Sequence, residues 1–587
     1  MQKQTERRKF LPGCRVEAIT MAEYLSPGVD VEEFESGGKP MEGVGTSTAG
    51  FVGLAEKGPV GGVPQLVTNF ADFRRKFGGF LSENEFGEYR FLAYAVEHFF
   101  INGGTRAFIS RVAPSSAKCA EASVGDLEFT AKNPGLWGDS ISLKITPSSK
   151  AKTQAFENLG DNKYRVKNGA GFAPGDIVAF TDGDSIEYNK VEKNQDNVIT
   201  FVNSFSGDIT DNNLLPTKVI STCEISMEVR YDDTTETYDN LSFNIESPNY
   251  ISKKTAKSDL ISVEYKGANE IGYPFGTLCT EDETVVSVEF KGGSNGSASD
   301  LSAGDFIGEN KGAGNRTGIQ SFLDNDVVSI MAVPGITDPN VQLTLVAHCE
   351  NLASRFAVLD IPRSAKKVDE IAAHRDIFSS SYAAMYHPWL TVFDPLDKKN
   401  IAIPPSGSIM GIYARSDNAR GVHKAPANEV VRACVGLDTQ FNKGEQDILN
   451  PKGVNLIRPF PGQGIRVWGA RTVSSDPSWK YVNVRRLFIY LEETIKANTN
   501  WAVFEPNDEA LWTRVHRTIS VFLNGMWRNG SLAGSSADEA FFVNIGRSTM
   551  SQDDIDNGRL VCVIGVAPVK PAEFVIFRIT QKTGDSE

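Results

Sequence analysis

Apolar residues recur with a helical period in some stretches and with a period of two in others, and the two patterns alternate along much of the chain. Residues 48–56 read as a buried strand. Phe91, Leu92, Ala95, Val96, Phe99 and Phe100 fall at helical spacing, which predicts a helix over about 88–101 that stops at Gly103-Gly104, with a strand following at 106–112. From residue 326 the rhythm returns. It predicts strand 327–333, a helix capped by Asp338 with Pro339 at its first position and running to about 353, strand 355–361, helix 365–378 and strand 381–392. This βαβ succession implies a mostly parallel sheet with helices on both faces.

Other stretches break the rhythm. Residues 118–245 are rich in Gly, Asp and Asn, with short apolar runs such as Ile177-Val178-Ala179-Phe180 and Val198-Ile199-Thr200-Phe201-Val202, the pattern of a β-rich surface insertion. Residues 290–325, dominated by Gly, Ser, Ala and Asn, suit a long loop. Near the start, Val29 and Val31 alternate with Asp30 and Glu32, and a Gly-rich stretch then separates this strand from the first compact unit. A strand so detached needs a sheet edge elsewhere for its backbone groups.

The last section, about 475–587, predicts helix 484–497 and a long helix capped by Asn507 with the stripe Leu511, Trp512, Val515, Ile519, Phe522, Leu523 and Met526, ending at Asn529-Gly530. Ser536 and Glu539 have capping-box spacing. Two closing strands are predicted over 559–567 and 573–580. In the second, Val575, Phe577 and Ile579 alternate on one face while Phe574 and Ile576 load the other, as in a strand inserted between neighbours.

With 587 residues the chain has room for three or four domains. Its formal net charge of −14 argues against nucleic acid or an anionic membrane as the main partner. The seven cysteines are scattered singly, as in a reduced compartment. Leu11-Pro12-Gly13-Cys14 faintly resembles a lipoprotein cleavage site, but no apolar run precedes it, so no export signal is read, and the first twenty residues are taken as a disordered extension or an upstream start. No apolar stretch is long enough to span a bilayer.

A parallel sheet raises the question of nucleotide binding. The turn Pro334-Gly335-Ile336-Thr337-Asp338 lacks a phosphate-binding glycine pattern, no P-loop string occurs, and Gly462-Gln463-Gly464 reads as a plain turn. His98, His348, His374, His387, His423 and His516 form no metal or catalytic spacing. Gly292-Gly293-Ser294-Asn295-Gly296 matches a nucleophile-elbow string, yet a Gly/Ser-rich stretch follows where a helix is required. Asp554 and Asp556, like Asp182 and Asp184, read as acidic turns. No catalytic, cofactor-binding or metal-binding residue is assigned. Arg485 and Arg486 read either as a solvated face or as a contact to an acidic partner surface.

Several segments resemble the contractile tail sheath proteins. They include Ser26-Pro27-Gly28-Val29 with Val31-Glu32-Glu33, Asn133-Pro134-Gly135-Leu136-Trp137-Gly138-Asp139, Glu236-Thr237-Tyr238-Asp239-Asn240-Leu241-Ser242 and Gly292-Gly293-Ser294-Asn295-Gly296. The later half adds the run from Asp417-Asn418-Ala419-Arg420-Gly421 through Ala427-Asn428, Val467-Trp468-Gly469-Ala470-Arg471-Thr472, Val484-Arg485-Arg486-Leu487, Phe504-Glu505-Pro506-Asn507-Asp508, Leu511-Trp512 and Ala567-Pro568-Val569-Lys570-Pro571-Ala572-Glu573-Phe574. The match spans about 21–140 and 235–582 and leaves 1–20 and 140–235 without counterpart.

The resemblance implies an α/β and α+β multidomain fold. Its parts would be a linker arm over 21–46, an outer α/β domain from 47–117 and 246–474, the β-rich insertion 118–245, and a C-terminal inner domain 475–587 with exchanged terminal strands. It implies a structural, non-enzymatic subunit that forms stacked hexameric rings in a helical array around an inner tube and contracts to drive that tube through a target envelope. Baseplate and terminator or cap proteins would be further partners. Assembly would take place in the cytoplasm, and the subunit would end in a phage tail or an injection particle. Val29, Val31, Val575, Phe577 and Ile579 are then candidates for inter-subunit strand exchange, and Arg485 and Arg486 for the tube contact. The competing readings are a metabolic α/β enzyme, which needs a site not found above, and a capsid-like or adhesin-like structural protein.

Overall fold

Strands buried along most of their length form a sheet covered on both sides, and here they build the centre of the chain. The computed structural model describes residues 41–211, 213, 217–267, 285–574 and 576. The central sheet has nine strands: β1 (Ala49–Leu54), β2 (Gln65–Val67), β3 (Ala107–Val112), β4 (Ile330–Ala332), β5 (Phe356–Asp360), β6 (Ala383–His387), β7 (Glu429–Val430), β8 (Val454–Phe460) and β9 (Gly464–Val467), in the spatial order β2-β3-β1-β4-β5-β6-β8-β9-β7. The run from β3 to β8 is parallel, and β2, β9 and β7 add antiparallel edges. All five residues of β5 and of β6 are buried.

Helices cover both faces. On one lie α1 (Leu92–Asn102) and α3 (Ser406–Arg420), sharing a core with Phe51, Phe356 and Tyr386; on the other lies α2 (Pro339–Leu352), whose Leu345 and Cys349 pack with Met331, Leu359 and Met385. The helix α1–α3 approach is close enough that a Cβ at Gly407 or Gly411 would overlap the Ala95 or Phe99 carbonyl oxygen, so both positions require glycine. Helix α2 begins as its sequence predicts, with Asp338 accepting from the Asn340 amide at 2.8 Å and Pro339 in the first turn.

The predicted strand 381–392 is two strands. After β6 the chain passes Pro388, and Leu390–Asp394 pairs antiparallel with Lys399–Ile403 in a separate small sheet. Nor is 290–325 a plain loop. It contains the short helical segments Ala298–Asp300, Ala303–Ile307 and Gly318–Asp324, and it buries Leu301, Phe306, Ile319 and Phe322 in the α2-side core. Its apolar residues are too sparse to show a period against the Gly and Ser background.

The β-rich region folds as three sheets. A seven-stranded sheet built within 152–222 has its own core, including Tyr164, Val178, Ile199 and Phe201. The four-stranded sheet includes Ser142–Ser148, Glu224–Tyr231 and Val286–Glu289, and a three-stranded one takes Ile261–Tyr265 as an edge, so β structure continues past residue 245.

The C-terminal section holds α4 (Val482–Thr499), α5 (Glu509–Arg528) and the antiparallel pair β10 (Phe541–Ile545) and β11 (Cys562–Val566). The cap of α5 is Asp508, whose carboxylate accepts from the Leu511 amide at 2.8 Å; Asn507 instead accepts from the Trp512 indole N–H at 2.7 Å. At 536–539 the box does not close: the Ser536 side chain makes no cap hydrogen bond, and the Glu539 carboxylate accepts from the Ser535 amide and hydroxyl. Strand β11 pairs with β10, and most of the predicted strand 573–580 lies outside the described residues.

Candidate functional site

The reactive-looking strings have structural employment. Gly292–Gly296 is locked against the Asn133–Asp139 segment: the Gly293 amide donates to Asp139 at 2.8 Å, Asn295 accepts from the Leu136 amide at 2.9 Å, and a Cβ on Gly293 would come within 2.6 Å of the Gly135 carbonyl. Ser294 pairs with Lys118 through the backbone. Gly462-Gln463-Gly464 is the turn between β8 and β9. Asp554 accepts from Ser551 and pairs with Arg559 at 2.9 Å. Burial lowers the proton affinity of His98, His348 and His387, each to a pKa of about 4. Among the described residues no group of three His, Cys, Asp or Glu could hold a metal ion, and no helix is long and apolar enough to cross a membrane.

The C-terminal section presents exposed apolar residues. The amphipathic stripe of α5 buries Leu511, Trp512, Val515, Ile519 and Leu523, and β10–β11 lies on it. Among the described residues this sheet has two strands, and its edges carry no further strand there. Two strands alone are marginal in water, and unpaired edges invite further strands. Its outer face is apolar as well, with Phe542 51% and Val563 45% exposed. Phe542 lies across Gly565, where a Cβ would strike the ring.

Both ends of the described chain are fastened beside α4. At the N-terminal end, the Asn498 side chain brackets Glu42, accepting from its amide at 3.2 Å and donating to its carbonyl at 3.0 Å, and the Val44 amide donates to Thr494 at 3.3 Å. At the C-terminal end, Arg471 grips the Glu573 carboxylate with two hydrogen bonds of 2.7 and 2.6 Å, joined by the Tyr481 hydroxyl at 3.1 Å. Burial would raise the Glu573 pKa, but the Arg471 hydrogen bonds and charge, with Lys480, bring it below the usual value. Just beyond, Phe574 is 73% and Ile576 80% exposed.

Arg485 and Arg486 do not form a solvated face. Both are buried on α4, together with Val482, Val484, Leu487, Ile489 and Leu491. Arg486 is paired with Asp417 of α3. Arg485 stacks at 3.4 Å on Trp479 and 4.3 Å on Tyr382, and donates to Ser381 at 3.0 Å. Charge pattern alone could not reveal this, because Asp417, Ser381 and Tyr382 lie about seventy to a hundred residues away. Val29, Val31, Val575, Phe577 and Ile579 lie outside the described residues. Asp417, Arg471, Glu573, Thr494 and Asn498 were not singled out in sequence, although the first three sit inside segments that carry the resemblance.

Residues 311–473 match the phage tail sheath protein central domain and residues 474–582 the phage tail sheath C-terminal domain. The chain is similar to a prophage major tail sheath protein of Pseudomonas aeruginosa strain UCBPP-PA14, with 26% identity over 285 residues that cover 46% of this chain and 71% of that one. Similarity to the tail sheath protein of Escherichia phage P2 is also 26%, over 291 residues covering 47% and 71%. Among solved structures, the fold resembles the PVC sheath complex of an extracellular contractile injection system in its contracted state, with a TM-score of 0.51 at 21% identity over 96% of this chain and 99% of that one.

Proposed function

The chain belongs to the contractile tail sheath family, and on that premise we propose that it assembles by strand exchange into stacked hexameric rings around an inner tube. The open two-stranded β10–β11 sheet carries this reading. The arm containing Val29 and Val31 from one neighbour, and the tail containing Val575, Phe577 and Ile579 from another, would complete it. Strand addition supplies main-chain hydrogen bonds, each contributing about 0.5–1.5 kcal/mol net, and covers the apolar outer face. Head-to-tail contacts of this kind propagate into open helical arrays.

The fastening of residues 42–44 and Glu573 to the chain supports a tether role. Each arm would leave from a fixed root, so subunits rotate as rigid bodies without being lost. Contraction then draws on differences in packing between two lattices, and no nucleotide is needed. The C-terminal section would face the tube, and the β-rich region would project outward. Baseplate and terminator proteins would cap the array.

Electron microscopy of the purified full chain, expressed with and without its tube protein, tests this. Hollow cylinders with sixfold end views are expected. Closed shells or thin fibres would favour a capsid-like or adhesin-like protein, and a persistent monomer at high concentration would contradict self-assembly.

A further inference from the structure

A cleft of about 650 Å³ opens between the segment following β1 and the β-rich region, walled by Lys57, Arg75, Lys76, Lys132, Trp137 and Asp259. Of the thirteen residues that line it, four are cationic and one is acidic, in a chain of net charge −14. Three of the cations are engaged locally: Lys132 donates to the Ala256 carbonyl at 3.1 Å, Lys76 to the Leu66 carbonyl at 2.7 Å, and Arg75 pairs with Asp72 at 2.6 Å.

Lys57 differs. It is 9% exposed, its stem is buried, and among the described residues its amine has no hydrogen bond or ion pair. The amine sits 4.1 Å from the Tyr231 ring centre and 5.9 Å from that of Trp137, and the buried Trp137 N–H also has no acceptor among the described residues. Glu56, whose Oε2 accepts from the Gly79 amide at 2.8 Å, and the exposed Asp232 act on the amine by charge, without an ion pair. An ammonium at the mouth of a buried stem, with no hydrogen bond or ion pair and part of its hydration displaced by two rings, is poorly compensated, and an anion reaching it relieves that cost.

We propose that this cleft is a binding site for a small oxyanion, a phosphate or a carboxylate, with Lys57 at its floor and Arg75, Lys76 and Lys132 at its rim. Tyr231 and Trp137 hold the Lys57 amine in place by cation–π contact and keep its stem dry. The oxyanion is either free in solution or the carboxylate side chain of a second copy of this chain. The single-subunit experiment rests on the cleft alone; only the cylinder comparison below also rests on the assembly reading.

Equilibrium dialysis of the full chain, as dissociated subunits, against radiolabelled inorganic phosphate tests the site. Saturable uptake of one phosphate per chain is expected, competed by glutarate. Lys57→Met should weaken it about 10-fold or more, the loss expected for one charged hydrogen bond. If Lys57→Met does not fold, the rim variant Arg75→Gln/Lys132→Gln, whose side chains reach solvent, should still weaken uptake several-fold at low salt. Phosphate uptake that disappears in assembled cylinders assigns the site to a neighbour's carboxylate, and uptake that persists assigns it to a free anion. No saturable uptake by the wild-type subunit, or uptake unchanged by these substitutions, would overturn the proposal.

Discussion

Arg486 of α4 and Asp417 of α3 form a two-point ion pair, with distances of 2.6 and 3.0 Å and side chains only 3% and 4% exposed. The same guanidinium donates to the Thr46 carbonyl at 2.8 Å, and the Thr46 hydroxyl donates to Asp417 at 2.7 Å. Three segments distant in sequence therefore meet at one charge pair: the approach to β1, the last turn of α3 and the first half of α4. The Tyr413 ring lies 4.6 Å away and closes the pair from water. Burial alone would lower the Arg486 pKa, but Asp417 more than restores it.

Breaking one side of such a pair leaves a buried unpaired charge. Arg486→Met should therefore lower stability by about 3–5 kcal/mol, whereas adding Asp417→Leu should recover most of that loss. Urea unfolding of the two variants checks this. Equal instability of the single and double variants would show that packing around Arg486, not charge pairing, holds the three segments together.

The seven-stranded sheet within 152–222 has a separate core, and its two ends meet, with the Thr222 amide donating to the Ala151 carbonyl at 3.0 Å. Replacing 152–221 by a short linker should leave a soluble chain that still forms cylinders, because surface segments with adjacent ends tolerate removal. The wider cut 140–235 would also delete Ser142–Ser148 and Glu224–Tyr231 from the four-stranded sheet and should misfold. Sedimentation and microscopy of both deletions distinguish them. Failure of the narrow deletion to assemble would give the sheet a role in the lattice.

His98 is buried on α1 without a partner for its Nδ1 among the described residues, and burial depresses its pKa to about 4. The unfolded chain, with a histidine pKa near 6.5, binds more protons between those values, so stability is full above pH ~6.5 and falls as pH drops toward 4. The loss from this residue at pH 5 is about 2 kcal/mol. His98→Gln should flatten the pH dependence of the urea midpoint between pH 7 and 5, and an unchanged slope would exclude His98 as its source.

The central sheet and its helices were legible because fully buried strands and amphipathic helices impose their periods on sequence. The split at Pro388 was not, since both halves are apolar and only pairing partners distinguish them. At 290–325 isolated apolar residues such as Phe306 and Phe322 reach a distant core, and no local period records that. In the C-terminal section the stripe of α5 was readable, but the fate of Arg485 and Arg486 was not, because Trp479, Tyr382 and Asp417 come from other elements. The exposure of Phe542 on a two-stranded sheet needs the strand count, which only the folded topology supplies.

The central claim is that β10–β11 is completed by strands from other copies, and a proline in the N-terminal arm tests it most directly. Val31→Pro would remove one main-chain donor from the added strand, at a position outside the described residues. Thermal unfolding together with electron microscopy should show a soluble subunit of near-normal stability that forms no long cylinders. Normal cylinders from Val31→Pro would contradict the tether, and a grossly unfolded subunit would mean that the arm pairs within its own chain.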